Sequence, residues 1–234
     1  MRRLARISKV FPYLFVNFIR CFKLAELYQP TYNPRRFYLV RAETIARASD
    51  DRIAAIQKNV DLDKVRTYMD IGSQLGYFVF KIRSLKEGML AYGVEMENVA
   101  CHYSNALAFP NDAQGVSFIN LKLTTSSVKG LPACDMISFL NVFHHIVHFD
   151  GFEAADRIMR ELYKKCQGHF IFETGQFDEK NYYWSESLKF MGEDPERWIQ
   201  DYLLTIGYKH VVLVDRFSSH LSDQKRAFFV CAKS

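Results

Sequence analysis

From residue 65 onward, short apolar runs alternate with longer stretches whose apolar residues recur at helical spacing. The short runs are rich in residues that favour strands, and those near the middle of the chain are apolar on both faces, as in strands covered by helices on both sides. Strands are predicted over residues 67–71, 90–95, 116–121, 135–140, 168–173, 210–215 and 226–232, and helices over 76–86, 97–109, 152–165 and 195–206.

This alternation predicts an α/β fold with a doubly wound, mostly parallel sheet of seven strands and helices on both faces. The last two strands are separated by residues 216–225, which are predicted to be a loop. Without a crossover helix between them, these two strands should pair antiparallel. The sheet is therefore expected to end in a C-terminal antiparallel hairpin.

The first sixty residues lack this pattern. Residues 1–28 are predicted to form a basic, apolar helical segment. Residues 29–60 are predicted to hold a linker with two prolines and a helix whose spacing begins at residue 42. The main domain is expected over residues 61–234. The cations of the N-terminal segment, opposed by Glu26 alone, are Arg2, Arg3, Arg6, Lys9, Arg20 and Lys23.

The apolar run at residues 10–19 follows basic residues, as in a signal peptide, but no small-residue cleavage motif comes after it. It is about half of the roughly 20 residues that span a bilayer, and it contains Pro12 and Asn17. We expect neither a signal peptide nor a spanning helix. Two interpretations stay open: the segment lies in a membrane interface, or it packs on the domain. A cytoplasmic chain is expected, with peripheral binding at the inner membrane face under the first interpretation.

Composition and charge are those of an ordinary globular protein, with 49% hydrophobic and 24% charged residues. The net charge of +5 comes largely from the N-terminal segment. The nearly neutral remainder argues against binding nucleic acid over the whole domain. The 5 cysteines are odd in number and form no CxxC pair, which favours a reducing compartment over disulfides or a zinc site.

The sequence DIGSQLGYF at residues 70–78 follows the first strand and opens the first helix. Gly72 and Gly76 allow a sharp turn and a close approach of helix to strand. The free N–H groups of a helix N-terminus suit a carboxylate or a phosphate, and Asp70 could receive an ammonium group. A ligand with both amino and carboxylate groups therefore fits this turn.

Glu95 ends the second strand, 19 residues after Gly76. An acid at this place can accept both hydroxyls of a ribose. A dinucleotide enzyme would usually present G-x-G-x-x-G, whereas here Gln74 occupies a common glycine position. That alternative stays open, as does a plain strand–turn–helix followed by an incidental acid.

Four sequences in this order, DIGSQLGYF, YGVE, CDMISFLNVFHHI and HFIFETG, resemble those of class I S-adenosylmethionine-dependent methyltransferases, which have a Rossmann-like fold. The resemblance covers roughly residues 60–234 and implies a methyltransferase with S-adenosyl-L-methionine as cofactor. It implies that Asp70, Gly72, Ser73 and Gly76, with Tyr77 and Phe78 of the same motif, hold the methionine end of the cofactor. It further implies Glu95 for the ribose, Met96, Asn120 and Leu121 for the adenine, and Asn141 and Val142 near the sulfonium.

The methyl acceptor is expected beyond the carboxyl ends of the strands, where residues 141–150 and 173–187 are predicted to be loops. His145 is the candidate general base and Glu173 a second acid or an orienting group. A packing role for His145 stays open. The spacing of His144, His145 and His148 does not favour zinc, and no metal is expected. Aromatic residues at 182–184 could stack on an acceptor, or form a lid.

The sequence therefore predicts a methyltransferase that acts on an oxygen of a small-molecule or glycan acceptor. Association with a membrane surface through residues 1–28 stays open. Two alternatives remain: a methyltransferase that modifies tRNA or another nucleic acid, and a cofactor-binding module without catalytic activity. A nucleic-acid-modifying methyltransferase would bind its nucleic acid with an affinity that falls steeply as the salt concentration rises.

Overall fold

The computed structural model describes residues 32, 49–108, 113–219 and 222–233. The predictions made for residues 1–28, and for the linker apart from Tyr32, lie outside these residues. Among the described residues, no helix is long and apolar enough to cross a bilayer.

A seven-stranded sheet runs in the order β3-β2-β1-β4-β5-β7-β6. The first five strands pair in parallel, whereas β7 pairs antiparallel with both β5 and β6. The predicted fold class, including its C-terminal antiparallel hairpin, is confirmed. The strands are β1 (Thr67–Ile71), β2 (Leu90–Glu95), β3 (Val116–Asn120), β4 (Cys134–Leu140), β5 (Cys166–Glu173), β6 (His210–Ser219) and β7 (Ser222–Ala232).

Helices cover both faces of the sheet. In the described part of the chain they are α1 (Ser49–Asn59), α2 (Tyr77–Leu85), α3 (Asn98–Ala108), α4 (Phe143–Asp150), α5 (Phe152–Lys165) and α6 (Pro195–Ile206). Short 3-10 turns lie at Leu62–Lys64, Ser127–Gly130 and Ser185–Met191.

Neighbouring residues of the central strands point into two separate cores. Tyr68 and Met136 belong to one cluster, and Met69 and Ile137, the next residue in each strand, belong to the other. Successive side chains of a strand point to opposite faces. Both faces are therefore buried, which explains why these strands are continuous apolar runs.

The two ends of α6 are marked in the sequence. The Asp194 side chain accepts a hydrogen bond from the backbone N–H of Arg197 at 3.0 Å, and Pro195 occupies the first helical position. Gly207, with a φ of 126°, ends the helix. These local signals explain why the predicted bounds of this helix match the structure.

Two segments predicted as loops are regular elements, so those predictions were wrong. Residues 143–150 form α4, because Phe143, Ile146 and Val147 recur at helical spacing and are buried. Most of residues 216–225 belongs to the β6–β7 hairpin, where Ser218 pairs with Lys225. Antiparallel strands form their hydrogen-bond ladder through the backbone, so the polar side chains of this segment do not prevent pairing.

Helix α1 shares the core of the domain that follows it. Its residues Ile53 and Ile56 belong to the same buried cluster as Tyr68 and Phe228, and Arg52 is fully buried. The predicted boundary at residue 61 stays a prediction, but the helix before it packs on the sheet.

Candidate functional site

The predicted site residues meet where strand order changes direction, between β1 and β4. A crevice at the carboxyl ends of the strands is expected at such a switch point in an open α/β sheet. Asp70 lies near the end of β1, Glu95 ends β2, and Asn141 and Val142 follow β4. A side chain at Gly72 would lie 2.3 Å from Cγ2 of Val142, so the first turn and the exit of β4 are in direct contact.

The turn between β1 and α2 requires both of its glycines. Gly72 and Gly76 have φ values of 77° and 76°, in the left-handed region that favours glycine. A Cβ at Gly76 would lie 2.5 Å from the ring of Phe118. The Gly72 N–H donates to the carbonyl of Val94 at 2.8 Å, which joins the turn to β2.

The Asp70 carboxylate is buried above a short hydrogen-bonded chain. The Ser138 hydroxyl donates to Asp70 Oδ1 at 2.6 Å, and the Tyr68 hydroxyl lies 2.6 Å from Ser138 Oγ. Burial, together with the charge of Asp70, raises the pKa of Tyr68 well above its usual value. The phenol therefore stays protonated and donates, and the chain holds the carboxylate in one orientation.

The Glu95 carboxylate binds backbone N–H groups of the β1–α2 turn and of the segment that follows β2. Its Oε2 accepts from the N–H of Gln74 at 2.8 Å and its Oε1 from the N–H of Glu97 at 2.7 Å. Each carboxylate oxygen has about two lone pairs. Both oxygens can therefore accept a further hydrogen bond from a ribose hydroxyl.

The turn contains buried polar atoms that fit a ligand. Ser73 Oγ and Gln74 Oε1 are buried, and neither has a hydrogen-bond partner in the part of the chain that the structure describes. Such atoms are rare in folded proteins, because each carries a desolvation penalty. Together with Asp70 and Glu95, they suit a ligand that carries amino, carboxylate and ribose groups.

The residues predicted for the adenine have different surroundings. Met96 is 65% exposed, next to the Glu95 carboxylate. The Asn120 side-chain N–H donates to the carbonyls of Glu95 and Met96 at 3.0 and 3.1 Å, and Leu121 N–H donates to that of Glu95 at 2.9 Å. Asn120 therefore holds the backbone of this segment, and its contact with adenine stays a prediction.

The side chains of Tyr77 and Phe78 point into the protein. Phe78 lies in the core, and the Tyr77 hydroxyl donates to the carboxylate of Asp50 in α1. Contact of these two residues with the cofactor therefore stays a prediction, and their position at the start of α2 favours the backbone for it.

Asn141 is the centre of a buried polar network at the exit of β4. It has a φ of 60°, and its side-chain N–H donates to Glu173 Oε1 at 2.7 Å. Its Oδ1 accepts from Arg226 at 2.7 Å. Arg226 forms two hydrogen bonds of 2.8 Å with Glu179. The network fixes a residue whose backbone is strained next to the expected sulfonium.

Glu173 is fully buried and binds Arg52 through two hydrogen bonds, of 2.6 and 2.9 Å. These contacts favour the orienting role for Glu173 over that of an acid. Arg52, Glu179 and Arg226 were missed from the sequence. The one signal in the sequence that could have indicated the network is Arg226, a cation directly before the apolar run at residues 227–232.

His144 is a packing residue. It is buried against Trp184, with ring centroids 4.5 Å apart, and its Nδ1 accepts from the N–H of Gly175 at 3.0 Å. Burial, followed by the charges of His145 and Arg226, lowers the pKa of His144 well below its usual value. The ring is therefore neutral at pH 7.

His145 is half-buried and lies in the first turn of α4, directly after the exit of β4. Its Nδ1 lies 3.1 Å from the hydroxyl of Tyr183. Burial, followed by Arg226 and His148, lowers the pKa of His145. A neutral imidazole can accept a proton, which is consistent with the predicted base.

The aromatic residues at 182–184 divide into two groups. Trp184 is buried and stacks on Tyr182, with ring centroids 5.2 Å apart. Tyr183 is 60% exposed and lies near Phe149, which is 70% exposed. Trp184 therefore packs on the domain, as the lid interpretation predicts, and stacking of Tyr183 on an acceptor stays a prediction. Among the described residues, no group of His, Cys, Asp and Glu is placed to hold a metal ion.

Comparison with known proteins agrees with this fold. No protein-family model matches the chain. The chain is 25% identical over 192 residues to the O-antigen chain terminator bifunctional methyltransferase/kinase WbdD of Escherichia coli, covering 79% of this chain and 25% of WbdD. The chain thus spans about a quarter of the length of this curated relative.

Solved structures extend the comparison. A crystal structure of WbdD superposes with a TM-score of 0.74 at 22% identity, covering 92% of this chain and 47% of that one. Magnesium protoporphyrin IX methyltransferase from Synechocystis PCC 6803 with bound S-adenosylmethionine gives 0.56 at 15% identity, covering 79% and 77%. A SAM-dependent methyltransferase from Aquifex aeolicus gives 0.57 at 14% identity, covering 93% and 98%. The chain has the class I S-adenosylmethionine-dependent methyltransferase fold, as the sequence predicted.

Proposed function

We propose that this chain is an S-adenosyl-L-methionine-dependent methyltransferase that methylates an oxygen atom of a small-molecule or glycan acceptor. The observation that carries the proposal is the placement of Asp70 and Glu95 at neighbouring strand ends, on either side of the turn from Gly72 to Gly76. A fold shared with methyltransferases supports it.

Different residues of the site would contact each part of the cofactor. The ammonium group would lie against Asp70 and the carboxylate against the turn at Ser73, since helix N-termini bind anions. Glu95 would accept the ribose hydroxyls, and Met96 and Leu121 would flank the adenine. Asn141 and Val142 would lie beside the sulfonium, from which the bound cofactor supplies an activated methyl group.

An oxygen acceptor is supported by the chemistry at the outer edge of the crevice. A neutral His145 can take up the proton that a hydroxyl loses on methylation. The exposed rings of Phe149 and Tyr183 offer an apolar surface to one face of a sugar. The name of the Escherichia coli relative, an O-antigen chain terminator, supports a glycan acceptor.

Calorimetric titration with S-adenosylmethionine and S-adenosylhomocysteine tests the cofactor site. Glu95→Ala removes charge-assisted hydrogen bonds worth about 1.5–3 kcal/mol each, so affinity should fall at least about tenfold. Glu87→Ala, in an exposed turn before β2, makes the same charge change as a control and should bind normally. Unchanged affinity of the Glu95 variant would place the ribose elsewhere.

Transfer of an isotope-labelled methyl group to a cell extract, read by mass spectrometry, tests the acceptor class. Label in a glycan or small-molecule fraction, released as methanol by mild base from an ester or as iodomethane by hydriodic acid from an ether, supports the proposal. Label in RNA favours the nucleic-acid alternative. Tight cofactor binding without labelling of any fraction favours the non-catalytic module.

A further inference from the structure

The side chain of Tyr183 is more exposed than the imidazole of His145, with which its hydroxyl is in hydrogen-bond contact. Tyr183 is 60% exposed, while His145 is half-buried behind it. The two side chains meet through Tyr183 Oη and His145 Nδ1, which are 3.1 Å apart. An acceptor bound at this surface would therefore find the phenol more accessible than the imidazole.

The direction of this hydrogen bond follows from the chemistry of the two groups. A neutral imidazole has one protonated and one unprotonated nitrogen, and a phenol is a stronger hydrogen-bond donor than the N–H of a neutral imidazole. The groups that face His145 are the neutral ring of His144 at 4.1 Å, His148, Tyr183 and the cation of Arg226. The cation opposes protonation of the ring, so Nδ1 is available to accept from Tyr183.

We infer that Tyr183 is a catalytic residue that takes the proton of the acceptor hydroxyl, and that His145 is the base behind it. This inference depends on the proposed function. The acceptor oxygen forms a bond to the methyl carbon while the carbon–sulfur bond breaks and its electron pair stays on sulfur. The acceptor proton passes to Tyr183 Oη, and the original phenol proton passes to His145 Nδ1. The products are a methylated oxygen, a neutral thioether and an imidazolium, so one positive charge is conserved.

Neighbouring rings hold the exposed phenol in place. His148 meets Tyr183 edge to face, with centroids 5.0 Å apart and an angle of 74° between the planes, and His148 Nδ1 lies 2.9 Å from Ser187 Oγ. The ring of Phe149 packs against the same tyrosine, with ring centroids 6.3 Å apart. An exposed side chain packed against three neighbouring rings loses less entropy when it adopts a reactive geometry.

A double-mutant cycle tests the relay in the intact chain. Tyr183→Phe keeps the ring and removes only the hydroxyl. It and His145→Ala should each lower kcat about 100-fold or more, and the double variant should be no slower than either, because both act in one proton path. Calorimetric affinity for S-adenosylmethionine should not change. Tyr163→Phe, which removes an exposed hydroxyl that donates to the Gly207 carbonyl at 3.2 Å, should keep wild-type kcat.

Nitrogen-15 NMR of the imidazole ring provides a second readout without cofactor. The wild-type chain should show His145 Nδ1 unprotonated and Nε2 protonated, and Tyr183→Phe should mix the two tautomers. A protonated Nδ1 in the wild-type chain, or a Tyr183→Phe kcat within threefold of wild type, would overturn the relay while leaving the proposed function standing. A wild-type chain that binds no S-adenosylmethionine, or methylates nothing, overturns both.

Discussion

Arg52 and Glu173 lie 121 residues apart in the sequence and form an ion pair in which both side chains are fully buried, with Nε and Oε2 at 2.6 Å. The pair joins α1 to the end of β5. Because Glu173 also accepts from Asn141, the packing of α1 on the domain is connected directly to the exit of β4. Stability and the geometry of the cofactor site therefore depend on the same carboxylate.

Glu173→Gln should destabilise the chain by about 3–5 kcal/mol in urea unfolding, because it leaves the Arg52 cation buried without its counter-charge. The second variant Arg52→Met, added to Glu173→Gln, removes that cation and should recover much of the loss. Glu196→Gln breaks the partly exposed pair with Arg216 and should change stability by less than about 1 kcal/mol. Equal losses from Glu173→Gln and Glu196→Gln would contradict a special role for the buried pair.

Residues 1–28 carry six Arg or Lys side chains and one acid, which predicts binding to anionic vesicles. Each cation near an anionic surface contributes about 1 kcal/mol. Sedimentation should therefore capture the chain with phosphatidylglycerol vesicles and not with phosphatidylcholine, and deletion of residues 1–28 should abolish capture. An intact chain that stays in the supernatant would favour packing of this segment on the domain.

Gly72→Ala should weaken cofactor binding about tenfold or more. A Cβ at Gly72 would lie 2.3 Å from Val142 Cγ2, so Val142 must move away from the expected sulfonium position. Gly88 has nearly the same φ, 76°, with nothing within 4 Å of an added Cβ. Gly88→Ala therefore isolates the backbone strain, about 1–2 kcal/mol, and should bind cofactor normally in calorimetry. Similar binding by both variants would refute the steric argument.

The strands and the glycine turn could be predicted because their signals are local. The apolar runs of β1 and β4, and the positions of Gly72 and Glu95, are visible in a few neighbouring residues. The buried network could not be predicted from the sequence, because Arg52, Glu173 and Arg226 come together only after the sheet has formed. Helix α4 was missed for a different reason. Its three histidines are polar and interrupt the apolar spacing, so the sequence does not indicate the buried face of the helix.

His144 makes stability depend on pH in one direction. Burial lowers its pKa well below 6.5 in the folded chain, whereas the unfolded chain binds a proton near pH 6.5. The unfolded state therefore binds more protons below that value, and the free energy of unfolding should fall as the pH falls. Above about pH 7.5 this group should contribute no slope.

Replacement of His144 by Gln isolates this contribution, since a Gln oxygen can still accept from the Gly175 N–H while it cannot titrate. Urea unfolding at pH 6.5 and 5.5 should show that the wild-type chain loses about 1 kcal/mol more than His144→Gln over this interval. His145, whose pKa is also lowered, is present in both chains and cancels in the comparison. Equal losses would mean that His144 takes up a proton in the folded state, and the neutral ring that accepts from Gly175 would then be incorrect.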